Sequence, residues 1–427
     1  MTFLVNWGPV LAAGLSILLM GACGVQLLMR LTRVLRGQES VSGAQNPLGY
    51  RRARRAPAKE IALVMALAFL SRVLVYLTAY AMLRLSRTTS RTFWDVQRLF
   101  WERWDARHYV KIAQWGYATA GEDRFLLVFF PFYPMLMRLL APLTGGDVFF
   151  AGQAISVLCG SASAGMLYAL AYPYGGRRTA VLSALYFLLS PLSVFLCSAY
   201  TEGLFLCLTL GAMLCVRGGR LWCAALLGML SAFTRMPGVI VAGMILIDAI
   251  GRFARRELTA RGVAACAAQM LLVFGGLFLY WGVNVAVTGD PLTYLTYQRD
   301  NWYQEAGSFW RSTDTTVYYF LDTIGSREWM FVWGMQMACM FYVYALLAFG
   351  QRKLPFDLAA YSFVYTAVVL SPTWLLSGAR YLYAMAPLPI LQARMLRRKE
   401  SHALALLAHG VLLMVWIYGF TVLGEVY

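Results

Sequence analysis

Long apolar runs separated by short basic clusters dominate this sequence. Apolar residues make up 60% of the 427 residues and charged residues only 13%, whereas a water-soluble domain normally carries about 25% charged residues. The runs 61–83, 148–172, 266–287 and 331–349 are each about long enough to cross the hydrocarbon core of a bilayer as a helix. The sequence therefore predicts an all-α polytopic membrane protein and leaves no room for a soluble domain of ordinary size.

The distribution of basic residues predicts the orientation of the chain. The net charge is +17, but the charges fall in clusters between apolar runs, which is typical of topology signals and not of a nucleic-acid surface. The loop 30–59 is strongly basic and should be cytoplasmic, with the N-terminus outside. If the stretch 221–250 is two short helices broken at Arg235–Gly238, about twelve crossings result. This count places the later clusters on the cytoplasmic side as well: Arg177/Arg178, Arg217/Arg220, Arg252/Arg255/Arg256, Arg352/Lys353 and Arg394/Arg397/Arg398/Lys399.

Two predicted extracytoplasmic loops, 84–147 and 288–328, hold most of the 20 acidic residues. The first is rich in Trp and Tyr, which is typical of a segment at the membrane interface. Within it we predict a short helix with Asp105 as N-cap and Gly116 just past its end. The run 125–143 is interrupted by Pro131 and Pro134 and is predicted to be re-entrant or interfacial.

The chain is predicted to divide into an N-terminal helix with its basic loop, 1–60, and a main membrane domain, 61–427. The run 11–29 lacks a charged start and a clear cleavage site, so a retained helix is favoured over a signal peptide. The eight cysteines lie in or at the ends of apolar runs without CxxC spacing. They are interpreted as packing residues and not as disulfides or metal ligands.

Asp105 is the sharpest catalytic candidate. A carboxylate at the outer membrane face, beside Trp104 and Tyr109, could take a proton from an incoming hydroxyl. The alternative is purely structural, since an aspartate at a helix N-cap needs no catalytic explanation. The two roles are compatible.

Arg235 and Arg380 are the candidates for binding an anion. Each interrupts apolar sequence, where a lone guanidinium needs an anionic partner or a water-filled cavity. A phosphate would satisfy either, and a structural ion pair with Glu202 would do so equally well. Arg72, in the middle of a span, is open to the same two interpretations. Glu202 itself begins an apolar run and could serve as a helix N-terminal charge.

No metal or other cofactor is predicted. His108 lies three residues after Asp105, but His402 and His409 are far along the sequence, so no histidine cluster can form. A metal held by carboxylates alone stays open as an alternative.

Four motifs occur in order along the chain. They are Trp104-Asp105-Ala-Arg-His-Tyr-Val-Lys-Ile-Ala-Gln-Trp-Gly116-Tyr117 with Phe129-Phe-Pro-Phe-Tyr-Pro134, then Ser198-Ala-Tyr200-Thr201-Glu202, Thr234-Arg235-Met-Pro-Gly238, and Arg380-Tyr381-Leu382 with Pro387-Leu388. Together they resemble the PIG-V family, the second mannosyltransferase of GPI-anchor assembly and its bacterial relatives. The chain departs from the family at Pro237, at Ala379 where a proline is common, and in its added N-terminal helix.

The resemblance implies a GT-C bundle in which a sugar, mannose in this family, passes from a polyprenyl-phosphate donor to a hydroxyl of a lipid-linked or surface glycan acceptor. The reaction takes place at the extracytoplasmic face with inversion. By position, Asp105 is the base; Arg235, Arg380, Arg107 and Lys111 would bind the donor phosphate. The substrate-binding candidates are Trp104, His108, Tyr109, Tyr200, Glu202 and Tyr381.

A transporter or flippase of lipid-linked sugars is the alternative, because it would also have broken helices and buried arginines. A long, acid-rich, aromatic loop on one face favours the transferase. The compact, arginine-rich chain resembles the bacterial members of the family, so a bacterial plasma membrane is the expected location. The sequence identifies neither the sugar nor the acceptor.

Overall fold

The computed structural model describes residues 2–42, 55–424 and 426, with side chains from residue 7 onwards. Within these ranges helix is the only regular secondary structure, apart from an isolated bridge between Ala306 and Pro372. The predicted all-α class is confirmed. The first helices are α1 (Thr2–Leu35), α2 (Ala58–Leu85), α3 (Phe93–Trp101), α4 (Asp105–Trp115), α5 (Phe132–Leu140), α6 (Val148–Ala171), α7 (Gly176–Leu189), α8 (Glu202–Arg217) and α9 (Leu221–Thr234). The others are α10 (Val241–Ala254), α11 (Ala260–Thr288), α12 (Thr293–Trp302), α13 (Phe309–Asp322), α14 (Met335–Gly350), α15 (Phe356–Val369), α16 (Gly378–Tyr383), α17 (Leu388–Met395) and α18 (Lys399–Tyr418).

The chain is a multi-pass membrane protein. In the described residues, 7 helices are long and apolar enough to cross a membrane, or up to 9 if each of two bent pairs is one span. The predicted count of about twelve crossings is not confirmed. The reason is length: α9 and α15 have 14 residues each, which at about 1.5 Å per residue is shorter than a hydrocarbon core of about 30 Å.

The predicted break at Arg235 is confirmed. Helix α9 ends at Thr234, Arg235 is extended (φ −156°, ψ 140°), and a short 3-10 segment, Met236–Ile240, leads into α10. At Gly238 the chain returns so closely to α9 that a Cβ would lie 2.2 Å from the Ala232 nitrogen. Only glycine fits this approach, which fixes the position of the extended Arg235.

The segment 84–147, the first of the two predicted outer loops, packs on the bundle. The 3-10 segment Glu122–Val128 and the helical stretch Phe132–Thr144 meet at 106°, as the two prolines predict for an interrupted run. Aromatic side chains divide between two environments: Trp101 is fully buried, whereas Trp94 and Trp115 are 72% and 83% exposed. The loop is therefore packed into the fold and leaves Trp94 and Trp115 exposed at its edge.

The N-terminal helix α1 packs against α13, α14 and α15. Its buried Arg30 donates to the side chain of Gln351 at 2.7 Å and to the Leu354 carbonyl at 3.0 Å, and it pairs with Glu39. Arg51, Arg52 and Arg54 of the predicted cytoplasmic loop lie outside the described residues. The division at residue 60 stays a prediction.

A buried arginine fixes one bend of the bundle. Arg72 of α2 donates to the carbonyls of Leu188 and Ser193, each at 2.9 Å. These carbonyls flank the 74° bend between α7 and the 3-10 segment Pro191–Cys197. Arg72 thus has a structural role, and its guanidinium is satisfied by backbone that the bend leaves unpaired.

Candidate active site

Asp105 begins α4 and its side chain turns toward the bundle. The predicted N-cap role is wrong: the helix starts at Asp105 itself, and the cap residue Trp104 makes no side-chain cap. The Asp105 Oδ2 accepts a hydrogen bond from Arg380 Nη2 at 2.5 Å. Trp104 has φ +51°, a region that a tryptophan adopts only at a cost of about 1–3 kcal/mol. This strained turn aims the carboxylate at Arg380.

Arg380 lies on the short helix α16, which hydrogen bonds hold in place. Gln336 anchors its start, because Gly378 N–H donates to Gln336 Oε1 at 2.8 Å. Tyr365 Oη donates to the Tyr381 carbonyl at 2.9 Å. The Arg380 side chain is 4% exposed, and its Nε lies 3.2 Å from Glu202 Oε1. One guanidinium therefore joins two carboxylates.

Glu202 is the hub of the cluster. It is the first residue of α8, as the expected N-terminal charge requires, and its side chain is 1% exposed. Its Oε1 pairs with Arg235 Nη1 at 2.5 Å as well as with Arg380. The ion pairs foreseen as the structural alternative are therefore present for both arginines.

The segment before α8 places Glu202 against α6 and the first outer loop. Ser156 Oγ donates to the Tyr200 carbonyl at 2.8 Å, and Ser198 Oγ donates to the Trp101 carbonyl at 2.5 Å. At Gly203 a Cβ would lie 2.6 Å from the Ser156 carbonyl oxygen. The close approach of α8 to α6 requires this glycine and fixes the depth of the neighbouring carboxylate.

Aromatic rings line the guanidinium groups. The Arg380 guanidinium lies 4.8 Å from the ring centroid of Tyr200, and that of Arg235 lies 4.6 Å from the ring of Tyr381. Such contacts stabilise a desolvated cation. They also hold both arginines in place without using up their N–H donors.

Electrostatics keep Asp105 ionised. Burial alone would raise the pKa of its carboxyl, but the Arg380 charge and hydrogen bond, with smaller contributions from His108 and Arg235, outweigh burial and hold that pKa below its ordinary value. The side chain is still 23% exposed. Asp105 is thus a charged carboxylate that a substrate can reach.

Three buried polar atoms of the cluster lack hydrogen-bond partners within the described part of the chain: Arg380 Nη1, Arg380 Nε and Glu202 Oε2. Arg380 Nε still has its ion pair with Glu202 Oε1 at 3.2 Å. A buried donor that forms no hydrogen bond costs about 1–3 kcal/mol of stability. Arg380 Nη1 is therefore free to bind an oxygen of a ligand.

The other candidates on α4 divide between its two faces. Tyr109 is buried and packs edge-on against Tyr133 at 5.3 Å, and Trp104 packs half-buried against the core. Arg107 and Lys111 lie on the exposed face, where Lys111 pairs with Asp123 at 2.7 Å and Arg107 donates to the Glu102 carbonyl. The fold does not bring these two cations into the buried cluster.

Trp302 was missed by the sequence analysis. It ends α12 in the second outer loop and lies 5.7 Å from the ring of His108 and 5.6 Å from that of Phe129. The sequence shows only that a tryptophan lies in one of the two long predicted outer loops, and this does not indicate that it contacts His108. The second loop thus packs against the middle of the first, at His108 and Phe129.

No group of three or more His, Cys, Asp or Glu side chains in the described ranges is arranged to hold a metal ion. The eight cysteines are free thiols.

Known proteins match this chain in sequence and in structure. Rat and human GPI alpha-1,6-mannosyltransferase 2 are 36% identical over 154 residues and 34% identical over 153. Each alignment covers 34% of this chain and 30% of the relative, so the chain matches under a third of these relatives' length. The oligosaccharyltransferase AglB of Archaeoglobus fulgidus, solved with an inhibitory peptide and a dolichol-phosphate, aligns at 12% identity and a TM-score of 0.38, over 84% of this chain and 56% of AglB.

The family model for Mannosyltransferase (PIG-V) matches residues 58–298, more than half of the chain. This range holds Asp105, Glu202 and Arg235, whereas Arg380 joins them from beyond it. The chain belongs to the PIG-V mannosyltransferase family.

Proposed function

We propose that this protein is a membrane mannosyltransferase that moves a sugar from a polyprenyl-phosphate donor to a hydroxyl of a lipid-linked or surface glycan acceptor. One observation carries the proposal: residues from four separate motifs converge in a single buried cluster of Asp105, Glu202, Arg235 and Arg380. A reachable carboxylate beside two guanidinium groups suits acid–base chemistry on a phosphate ester.

In the proposed reaction Asp105 removes the proton of the acceptor hydroxyl as its oxygen attacks the anomeric carbon. The bond from that carbon to the phosphate oxygen breaks, and its electron pair stays on the phosphate. Attack opposite the leaving group inverts the anomeric centre. The base is the one cluster carboxylate with appreciable exposure, 23% against 1% for Glu202.

The charges of the cluster match this chemistry. Two carboxylates and two guanidinium groups are together neutral. When Asp105 takes the proton, the cluster gains one positive charge at the moment when the leaving phosphate gains one negative charge. The two opposite charges attract each other most strongly in a site of low dielectric, so the cluster stabilises the leaving phosphate.

We assign the leaving phosphate to Arg380 and Arg235. Arg380 Nη1 is an unused buried donor, and Arg235 is the more accessible of the two, with its side chain 13% exposed. Guanidinium suits this role because it can bind two phosphate oxygens at once. Glu202 is then a positioning residue that holds both arginines, and no substrate contact is needed from it. Arg107 and Lys111, on the exposed face of α4, are placed along the approach of the donor head group.

We assign the acceptor sugar to the aromatic residues beside Asp105. Trp104 and His108 flank the carboxylate on α4, and Trp302 covers His108 from the second outer loop. Aromatic rings offer apolar faces with polar edges, which suits the two-faced surface of a sugar. Tyr109 and Tyr200 are buried beside the cluster, and Tyr381 is partly buried against Arg235.

The function is tested by transfer from radiolabelled polyprenyl-phosphate-mannose. The purified full-length protein is incubated with this donor and with lipid and glycan extracts, and the label is followed into acceptor and released phosphate. We expect label transfer that depends on the acceptor extract. Movement of donor across proteoliposomes without any transfer would contradict the proposal and favour the transporter alternative.

We expect the site to face outside the cytoplasm. Cysteines introduced at Glu122 and at Lys59, each in a background where the exposed Cys223 is replaced by serine, can be labelled with an impermeant thiol reagent in intact cells. The charge distribution predicts labelling at Glu122 and protection at Lys59. The reverse pattern would place Asp105 on the cytoplasmic side and overturn the assignment. The bacterial origin of the chain stays a prediction.

A further inference from the structure

A groove lies between the starts of α7 and α18, and none of the residues that line it belongs to the four motifs. Its volume is about 570 Å³, and its rim carries Arg177, Arg178 and Lys399. Both helices begin here, at Gly176 and at Lys399, so their N-terminal ends lie at the same groove. Helix N-termini attract anions. The groove therefore combines two helix starts with three cationic side chains.

The cations of the rim are only partly neutralised. Arg177 lies 3.5 Å from Glu60 and is 71% exposed. Arg178 donates one bond to the Arg397 carbonyl at 3.1 Å. In the described ranges no carboxylate forms an ion pair with Arg178 or Lys399, although Glu400 follows Lys399 in the sequence. An anion would meet unpaired positive charge here.

The floor of the groove is fixed and its outer wall is apolar. His402 is buried, with its Nδ1 3.0 Å from Tyr186 Oη and its Nε2 3.2 Å from the Leu396 carbonyl. Beyond the rim, Val181 on α7 and Leu404 and Leu407 on α18 are exposed, the two leucines by 70% and 65%. Helix α18 lies in a stretch long and apolar enough to span the membrane, so we expect Leu404 and Leu407 to face lipid tails.

We propose that this groove binds an anionic phospholipid, with its phosphate at Arg178 and Lys399 and its acyl chains along the exposed side chains of α7 and α18. A basic rim directly above an apolar wall fits an amphiphile better than a free anion. Basic pockets between spanning helices on the cytoplasmic side bind such head groups, and the distribution of basic residues predicts that side for this rim. The inference does not depend on the transferase activity.

The test is lipid binding by the purified full-length protein. Phosphatidylglycerol is titrated into detergent-solubilised protein, and bound lipid is counted by native mass spectrometry. Each Lys or Arg near a membrane surface contributes about a fivefold preference for anionic lipid, so Arg178→Gln with Lys399→Gln should weaken binding about twenty-five-fold. Lys399→Gln alone breaks no hydrogen bond or ion pair of the described structure and should weaken phosphatidylglycerol binding about fivefold.

The matched control is Arg220→Gln with Arg261→Gln, which removes the same charge from exposed positions on the same predicted side, at the starts of α9 and α11. This pair should leave the affinity for phosphatidylglycerol within about twofold of the native value. Equal weakening by both pairs would overturn the proposal, because binding would then follow total charge. Tight binding of phosphatidylcholine, or displacement of the lipid by millimolar inorganic phosphate, would overturn it as well.

Discussion

Asp105→Asn is expected to slow sugar transfer by about a hundredfold to ten-thousandfold, the usual contribution of a general base. Asparagine has nearly the same shape but cannot accept a proton from a hydroxyl at neutral pH. The measurement is the initial rate of label transfer at saturating donor and acceptor, with thermal unfolding recorded on the same preparation. Loss of the rate without loss of the fold is the expected combination.

The structure explains why the fold should tolerate this change. Asp105 caps no helix, and the Oδ1 of asparagine can still accept the hydrogen bond that Arg380 Nη2 donates. Arg380 keeps its second carboxylate, Glu202, at 3.2 Å. Because the Asp105 side chain is 23% exposed, we expect a loss of only about 1–2 kcal/mol of stability.

Asp95→Asn is the matched control in the same outer loop. Asp95 forms a capping box with Thr92 at the start of α3, and its carboxylate is exposed. Asparagine keeps a side-chain oxygen that can accept the Thr92 N–H, so this variant should keep both its rate and its melting temperature. A near-native transfer rate in Asp105→Asn would rule out the base role and turn attention to Glu102, which lies 3.6 Å from Arg98.

The features that depend on local chemistry were predictable from the sequence. The body of α4 follows from its polar start and from Gly116, which has φ +80° at the helix end. The break at Arg235 follows from Pro237 and Gly238. The motifs also contain the four charged residues of the cluster, and Arg235 and Arg380 were candidates because lone charges in apolar sequence must find partners.

The features that depend on which residues meet were not predictable. Whether Arg380 binds a ligand or a carboxylate depends on a contact with Asp105 across 275 residues. The cap depends on which residue is the first of the helix: α4 begins at Asp105, one residue earlier than predicted, so the N-cap position moves from Asp105 to Trp104. Arg107 and Lys111 share α4 with Asp105, yet the helix turns them to the opposite, exposed face.

Arg380→Gln is expected to slow transfer by about a hundredfold to a thousandfold and to change its pH dependence. Losing one preorganised donor to a developing negative charge typically costs that much. The variant also leaves two carboxylates with fewer partners, so it should be less stable than the native chain, by up to about 3–5 kcal/mol. Rates are therefore measured well below the melting temperature, on protein that elutes as a single species.

The pH dependence separates a catalytic role from a structural one. Only ionised Asp105 can act as a base. The value of kcat/KM is therefore at its maximum above the pKa of Asp105 and decreases as pH falls through that pKa. In the native protein Arg380 holds that pKa below its ordinary value against the opposing effect of burial. Without the guanidinium, burial remains, and the acid limb of the profile should move to higher pH. Arg380→Lys keeps the charge and should keep the limb low, with only partial recovery of the rate.

Arg72→Gln provides the matched control for Arg380→Gln, since Arg72 is a buried arginine whose partners are backbone carbonyls outside the cluster. It should lower stability and leave the acid limb where the native protein has it. If Arg380→Gln lowered kcat/KM by one constant factor at every pH, Arg380 would not act on Asp105. Its effect would then come from the leaving phosphate or from packing around α16, and the assignment of Arg380 to the ionisation of Asp105 would have to be given up.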